Sequence, residues 1–281
     1  MTDKYAVIGN PIAHSKSPQI HKMFAEQTNQ DISYEAILAP LDGFIETVER
    51  LRKEKYKGCS VTVPFKFEAF NLVRALQDAQ PMQGVCNQLA TKAGAANTLT
   101  FHQNFVNGDN TDGIGLVRDI KQNFQQLLKG KHILLMGAGG AASGVLQSLL
   151  HEHPKKLTIA NRTLEKADKL HQLHAHLSQA ELSTCTYSDL NGSFDIIINA
   201  TSVGLSDIEI PLPSTIFAPN ALAYDMMYGC ETPFIKFSRE HGAQVADGLG
   251  MLVEQAAEAF FIWRGIRPNT TQVIAALQIP W

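Results

Sequence analysis

The chain has 281 residues, of which 44% are hydrophobic and 18% charged, with a formal net charge of -3 and an isoelectric point near 6.4. A chain of this length can bury a sizeable core and sits where single cores begin to split, so two domains are expected. The balanced charge offers no broad basic footprint for nucleic acid or an anionic membrane, which leaves a small molecule as the expected partner.

In chain order, a short β-branched run Tyr5-Ala6-Val7-Ile8 ends at Gly9-Asn10-Pro11, and Ser17-Pro18 opens a helix. A strand over 32–38, a helix from Leu41 and a strand Ser60-Val61-Thr62-Val63 follow, making a β-α-β-α-β unit. Leu76 to Lys92 is polar and interrupted and reads as an irregular surface loop. Thr98 to Asp109 reads as two short strands around Gln103-Asn104, and Asn110-Thr111-Asp112-Gly113 opens a helix toward Phe124. A second α/β series begins at His132-Ile133-Leu134-Leu135-Met136. It continues through Leu157 to Ala160, Asp195 to Asn199, Ala221 to Tyr224 and Gln244 to Ala246. An apolar helix from Met251 to Trp263 and another capped near Asn269-Thr270 complete the pattern.

Cys59, Cys86, Cys185 and Cys230 lie far apart without the spacing of a zinc or redox motif, so reduced thiols are expected. No apolar stretch reaches bilayer length, and the reading is a soluble, cytoplasmic protein. His171, His174 and His176 stand close together but on a stretch rich in Lys, Gln and Leu, with no acid or thiol to complete a ligand set. They read as a solvated helix, and no metal is assigned.

The strand ending at Met136 runs into Gly137-Ala138-Gly139-Gly140-Ala141-Ala142, followed by the helical pattern Ser143 to Leu150. A tight glycine turn between strand and helix lets a pyrophosphate approach the backbone and rest on the positive end of the helix. The next strand ends in Ala160-Asn161-Arg162-Thr163, with Lys166 one turn on, where an NAD site would carry an acid. Arg162 offers a fork of donors to a 2′-phosphate, so the expected cofactor is NADP.

Several motifs then run in order: His14-Ser15-Lys16-Ser17-Pro18; Val61-Thr62-Val63-Pro64-Phe65-Lys66, without the usual preceding asparagine; Ala96-Asn97-Thr98; and Gly108-Asp109-Asn110-Thr111-Asp112-Gly113. They continue with Asn199-Ala200-Thr201-Ser202, Tyr224-Asp225-Met226 before Thr232-Pro233, and Gly248-Leu249-Gly250-Met251 before Gln255. Together with the glycine turn, they make the chain resemble the shikimate dehydrogenase family along nearly its whole length.

That resemblance implies an α/β protein with an N-terminal substrate-binding domain, residues 1–112, and a Rossmann-like NADP-binding domain, residues 113–247. Helices of residues 248–281 would return to the substrate domain, with the site in the cleft. The implied reaction is the reversible NADP-dependent reduction of 3-dehydroshikimate to shikimate, in chorismate and aromatic amino-acid biosynthesis. Substrate contacts would fall on Ser15, Ser17, Thr62, Lys66, Asn97, Asp112, Tyr228 and Gln255, with Lys66 and Asp112 catalytic. Cofactor contacts would fall on Gly137, Ala138, Gly139, Gly140, Ala141, Asn161, Arg162, Thr163, Lys166, Met226 and Gly248. An NAD-using quinate/shikimate paralogue and a non-catalytic NADPH-binding regulator stay as alternatives, and a homodimer is left open.

The chain departs from the family at three places. Lys66 to Asn97 is about ten residues longer than usual, in line with a loop insertion. Lys166 replaces a second arginine, and residues 228–231 lack a proline. Without the resemblance, Ser17 and Asp112 read as helix caps and Lys66 as a solvated cation, although a lysine in a first helical turn opposes the helix dipole.

Overall fold

The computed structural model describes residues 2–80, 82–175, 180–201 and 212–278. The chain forms two compact units, Met1–Gly115 with Val253–Val273, and Leu116–Leu252 with Ile274–Trp281.

In the first unit, strands β1 (Asp3–Gly9), β2 (Ile32–Leu38), β3 (Gly58–Val61), β4 (Gly84–Cys86), β5 (Thr98–Phe101) and β6 (Val106–Asp109) form one sheet in the order β2-β1-β3-β5-β6-β4. β1 runs parallel to β2 and β3, whereas β5 is antiparallel to β3 and β6. Side chains alternate across β1, so Ala6 and Ile8 join a core with Phe44, Val48 and Leu51 of α2 (Phe44–Lys53) and Ala69 and Val73 of α3 (Lys66–Ala79). Tyr5, facing the other way, stacks on Trp263 at 4.7 Å. Trp263 lies on α9 (Leu249–Arg264), and Phe260 of that helix meets Phe24 of α1 (Ser17–Thr28) edge-on at 5.7 Å. Gly58 makes room for this packing, since a Cβ there would lie 2.7 Å from the Trp263 indole nitrogen. The indole donates to the Leu99 carbonyl at 3.2 Å, and Arg264 reaches Asp3 at 2.5 Å.

In the second unit, β7 (His132–Met136), β8 (Lys156–Ala160), β9 (Glu181–Cys185), β10 (Phe194–Asn199), β11 (Phe217–Asp225) and β12 (Gln244–Ala246) make an all-parallel sheet in the order β12-β11-β10-β7-β8-β9. Ile133 and Leu135 of β7 face a core with α6 (Gly140–His151), while Leu134 and Met136 face Phe234 and Ile235 of α8 (Pro233–Glu240). Helices therefore cover both faces, as an all-parallel sheet requires.

Several expectations change. The helix expected from Leu41 begins at Phe44, because Pro40 to Gly43 closes a turn with the Gly43 N–H on the Pro40 carbonyl at 3.0 Å. Leu76 to Lys92 is not an irregular loop. α3 runs to Ala79, β4 pairs with β6 in parallel, and α4 (Gln88–Ala93) is capped by the Asn87 side chain at 2.7 Å from the Ala90 N–H. Gly84 permits this, since a Cβ there would sit 2.2 Å from the Val73 carbonyl. The helix toward Phe124 is α5 (Asp112–Arg118) continued by a π-helical turn, Asp119–Asn123. The Asp119 carboxylate accepts from the Tyr224 hydroxyl at 2.5 Å and lies against Gly250, where a Cβ would collide with it. α7 (Leu164–His174) carries His171 and His174, but His174 is buried rather than solvated. His176 lies outside the described residues, as does Ser202. α10 (Thr270–Leu277) begins where expected, with Asn269 Oδ1 accepting from the Thr271 N–H at 3.0 Å. Among the described residues no helix is long and apolar enough to cross a membrane.

Candidate active site

In the first unit, Lys66 opens α3 directly after the turn that follows β3, a position where a cation opposes the helix dipole. Its Nζ lies 2.6 Å from Asp112 Oδ2, and the Lys66 and Asp112 side chains are 24% and 7% exposed. A charge-assisted bond of this length offsets the unfavourable helix position. Asp112 opens α5, yet its oxygens go to Lys66 and to Asn97 Nδ2, at 2.8 Å, and not to the amides of its own helix. The capping reading of Asp112 therefore gives way to a side-chain pair with one edge open to solvent.

Asn97 is the hub that fixes this pair. Its Oδ1 accepts from the Thr111 N–H at 2.9 Å, and its Nδ2 reaches Gln255 Oε1 of α9 at 3.4 Å. Thr111 also donates to Gln255 Oε1 at 3.3 Å, and Asn110 Oδ1 accepts the Asp112 N–H at 3.1 Å. Asn97, Asn110, Thr111 and Asp112 are all buried. Thr111 and Asn110 were not singled out from the sequence, because their role is to fold the Asp109–Asp112 turn back onto Asn97. Their place inside the Gly108 to Gly113 motif was the available signal.

Ser17 is the first residue of α1 rather than its N-cap, which is Lys16, and the N-cap side chain makes no capping bond. Instead Ser15 Oγ accepts the Ser17 N–H at 3.3 Å, which draws the two hydroxyl-bearing residues together at the start of α1. Thr62 directly follows β3, its N–H on the Ile8 carbonyl at 2.9 Å, and its methyl fills the space that a Cβ on Gly9 would need.

In the second unit the glycine turn follows β7 as expected. Gly137 has φ 102°, in the left-handed region, and its N–H donates to the Ala160 carbonyl at 2.7 Å. Gly139 caps α6, and nothing lies within 4 Å of where its Cβ would be, so the backbone at the helix N-terminus is open to an anion. Ala138 and Ala141 flank Gly139 and Gly140 in the same turn. At the end of β8, Asn161 folds its Nδ2 onto the Thr163 carbonyl at 2.8 Å, and Thr163 starts α7 without a side-chain cap. Arg162 and Lys166 are exposed, and no carboxylate stands at the strand end, where Asn161 follows Ala160. These features fit a dinucleotide with a 2′-phosphate. The Tyr187 phenol, missed from sequence, lies beside the Gly137 backbone and Arg162, and burial pushes it up to about 12. Met226 and Tyr228 follow β11, where burial raises the Tyr228 phenol. Gly248 precedes α9, and a Cβ there would sit 2.2 Å from the Met226 carbonyl oxygen.

Family models match three stretches of the chain. They are described as "Shikimate dehydrogenase substrate binding domain" over residues 7–99, "Shikimate / quinate 5-dehydrogenase" over 119–208 and "Shikimate 5'-dehydrogenase C-terminal domain" over 248–278. A protein of Methylobacillus flagellatus named "Shikimate dehydrogenase (NADP(+))" is 54% identical over 278 residues, covering 98% of this chain and 99% of that one. Among solved structures, an Ael1 enzyme from Pseudomonas putida is 45% identical with a TM-score of 0.91, covering 99% of both chains. Shikimate 5-dehydrogenase of Thermus thermophilus, in complex with NADP(H) and shikimate, is 29% identical with a TM-score of 0.82, covering 98% of both chains.

Proposed function

The chain belongs to the shikimate dehydrogenase family, and from that premise we propose that it catalyses the NADP-dependent, reversible reduction of 3-dehydroshikimate to shikimate in aromatic amino-acid biosynthesis. The observation that carries the reading is the 2.6 Å contact between Lys66 and Asp112, joined to Asn97 and Gln255. The first unit takes the substrate and the second takes NADP. The cytoplasm is the proposed compartment, supported by the free thiols of Cys59, Cys86, Cys185 and Cys230.

NADPH, when bound, supplies the hydride; the chain supplies binding, orientation and a proton route. Gly137 to Ala141 and the start of α6 hold the pyrophosphate, Asn161, Arg162, Thr163 and Lys166 hold the adenosine end with its 2′-phosphate, and Met226 and Gly248 serve the nicotinamide end. Ser15 and Ser17 at the start of α1 hold the substrate carboxylate, while Thr62, Asn97, Tyr228 and Gln255 orient the ring hydroxyls. In the reducing direction the Lys66 ammonium polarises the carbonyl oxygen and gives it a proton as the carbonyl carbon gains the hydride. Neutral Lys66 then regains a proton from solvent. In the oxidising direction neutral Lys66 takes the hydroxyl proton, and Asp112 holds the lysine in place and balances its charge.

Steady-state kinetics and direct shikimate binding for Lys66→Ala and Asp112→Asn test this. Lys66→Ala is expected to lower kcat by about 10²–10⁴-fold, the range of a positioned acid or base, with a much smaller change in shikimate affinity. Turnover within about threefold of the parent removes Lys66 from the proton route, and a selective loss of binding makes it an anchor.

A further inference from the structure

The segment between β11 and α8 is tied down by two aspartates outside the reacting pair. Asp225, 0% exposed, accepts the Thr232 hydroxyl at 2.6 Å, the Asn199 Nδ2 at 3.1 Å and the Met227 N–H at 2.9 Å. Thr232 in turn caps α8, its oxygen accepting the Ile235 N–H at 3.3 Å. The second aspartate, Asp247, accepts the Gly229 N–H through Oδ2 at 3.2 Å and the Leu249 N–H through Oδ1 at 3.1 Å. Between these two clamps the Gly248 N–H donates to the Met227 carbonyl at 2.8 Å, and the missing side chain of Gly248 lets its backbone lie against the Met226 carbonyl.

Residues 226–231 thus leave β11 through one carboxylate and are held against the start of α9 by the other. Gly229, with φ 82°, turns the middle of the segment through the left-handed region, which glycine adopts at no steric cost. Charge-assisted bonds from carboxylates to backbone N–H groups are stronger than neutral ones and are directional, so they select one loop shape among many. Asp247 is partly exposed and Asp225 fully buried, so Asp247 is the member that can be altered with less cost to folding.

We propose that Asp247 and Asp225 are positioning residues for the hydride-transfer step. They hold residues 226–231 so that Met226, Gly248 and Tyr228 meet nicotinamide and substrate in a productive arrangement. The inference rests on the reading of those three residues as cofactor and substrate contacts. Neither aspartate acts on the reacting atoms directly. Their effect is transmitted through the backbone of the segment, where a displacement of about 1 Å costs on the order of 10²-fold in rate.

The test compares Asp247→Ala, Asp247→Asn and Asp225→Asn with Tyr228→Phe and Met226→Ala, using full-length enzyme. It measures Tm, the active fraction by burst titration, kcat, KM for shikimate and NADPH affinity by fluorescence. Asp247→Ala is expected to lower kcat per active site about 10–100-fold and to raise KM for shikimate, while NADPH affinity, held at the Arg162 end, moves less than about threefold. Asp247→Asn, which keeps one acceptor oxygen, is expected to fall between parent and Asp247→Ala, and Asp225→Asn to show the same split between kcat and cofactor affinity. A lower Tm and active fraction with kcat per site and KM unchanged makes the clamps merely structural and overturns the proposal. If Tyr228→Phe and Met226→Ala both keep parental kinetics, the reading of the contacts fails instead, whatever the aspartate variants do. If those two are impaired while Asp247→Ala is not, the contacts stand and the clamp fails.

Discussion

At the scale of single residues, the charge on Arg162 decides the cofactor. Arg162 is exposed at the end of β8 with no neighbouring acid at the strand end, so its guanidinium is free to meet a doubly charged phosphate. A charge-assisted contact of this kind contributes about 2–3 kcal/mol, so Arg162→Ala is expected to raise KM for NADP by about 30-fold or more. KM for NAD, which lacks the 2′-phosphate, should move little. Equal losses for both cofactors would show that Arg162 acts on something other than that phosphate. His21 poses a different problem. It is fully buried, stacked on Tyr34 at 4.0 Å, and among the described residues neither ring nitrogen has a hydrogen-bond partner. Burial lowers its pKa from 6.5 to about 3, so the native state keeps it neutral while the unfolded chain takes up a proton below pH 6.5. Stability from this residue is therefore whole above pH 6.5 and falls as pH drops toward about 3, by about 2 kcal/mol at pH 5. In urea unfolding, the advantage of His21→Phe over the parent should be larger at pH 5 than at pH 7.5 by about that amount. A difference that does not change with pH would mean that His21 is already charged in the folded state.

At the scale of elements, α1 brings a separable function to its first turn. Because the N-cap residue Lys16 makes no side-chain cap to α1, replacing Ser15 and Ser17 together by alanine removes only the 3.3 Å contact between Ser15 and the Ser17 N–H. The expected loss of stability is small, about 0.5–1 kcal/mol, while shikimate affinity falls and NADP affinity by fluorescence holds. A fall in Tm with shikimate affinity intact would return both serines to a purely structural part. The elements readable from sequence were those whose periodicity is long enough to be seen. β7, with Ile133, Leu134, Leu135 and Met136 buried on both faces, reads as one apolar run, and β5 and β6 are marked by the turn at Gln103-Asn104. β4 and α4 were hidden because a strand of three residues and a helix of six are too short to show a period, and their placement rests on Gly84 and the Asn87 cap. β9 escaped for another reason. Its residues Glu181, Ser183 and Thr184 are polar, and it lies at the sheet edge beyond β8, where half of the strand need not be apolar. In the site, Lys66, Asn97, Asp112 and Gln255 were picked out by family resemblance, since residues so far apart in the chain share no local pattern. The Asn110 and Thr111 contacts and the Asp225 and Asp247 clamps join side-chain oxygens to backbone N–H groups and to side chains elsewhere in the fold, which local side-chain pattern does not encode.

At the scale of the whole molecule, the first unit is built from two stretches of chain, Met1–Gly115 and Val253–Val273, with the other unit's residues 116–252 inserted between them. α9 supplies Phe260, Trp263 and Arg264 to the α1 side of the first sheet, so residues 1–115 alone present Tyr5, Phe24 and the Leu99 carbonyl uncovered. Losing the burial of two large aromatic side chains removes about 3–6 kcal/mol, a large share of a domain's stability. Residues 1–115 expressed alone are expected to show no cooperative thermal transition by circular dichroism. The same residues joined through a flexible linker to residues 249–278 should recover one. A sharp transition in the shorter fragment would mean that α9 is dispensable for the first unit.

The same interruption sets an order of events during synthesis. β1 and α1 leave the ribosome early, but Trp263 and Phe260 follow only after all of residues 116–252 have been made. At elongation rates of about 5–20 residues per second, the wait for these residues is about 7–27 s. By the end of that interval the parallel sheet between residues 132 and 246 has every strand it needs, while the nascent N-terminal sheet has shown an unshielded apolar face to any passing chaperone throughout. The part made first is thus the part finished second, and its quality control falls to whatever holds nascent chains in the cell.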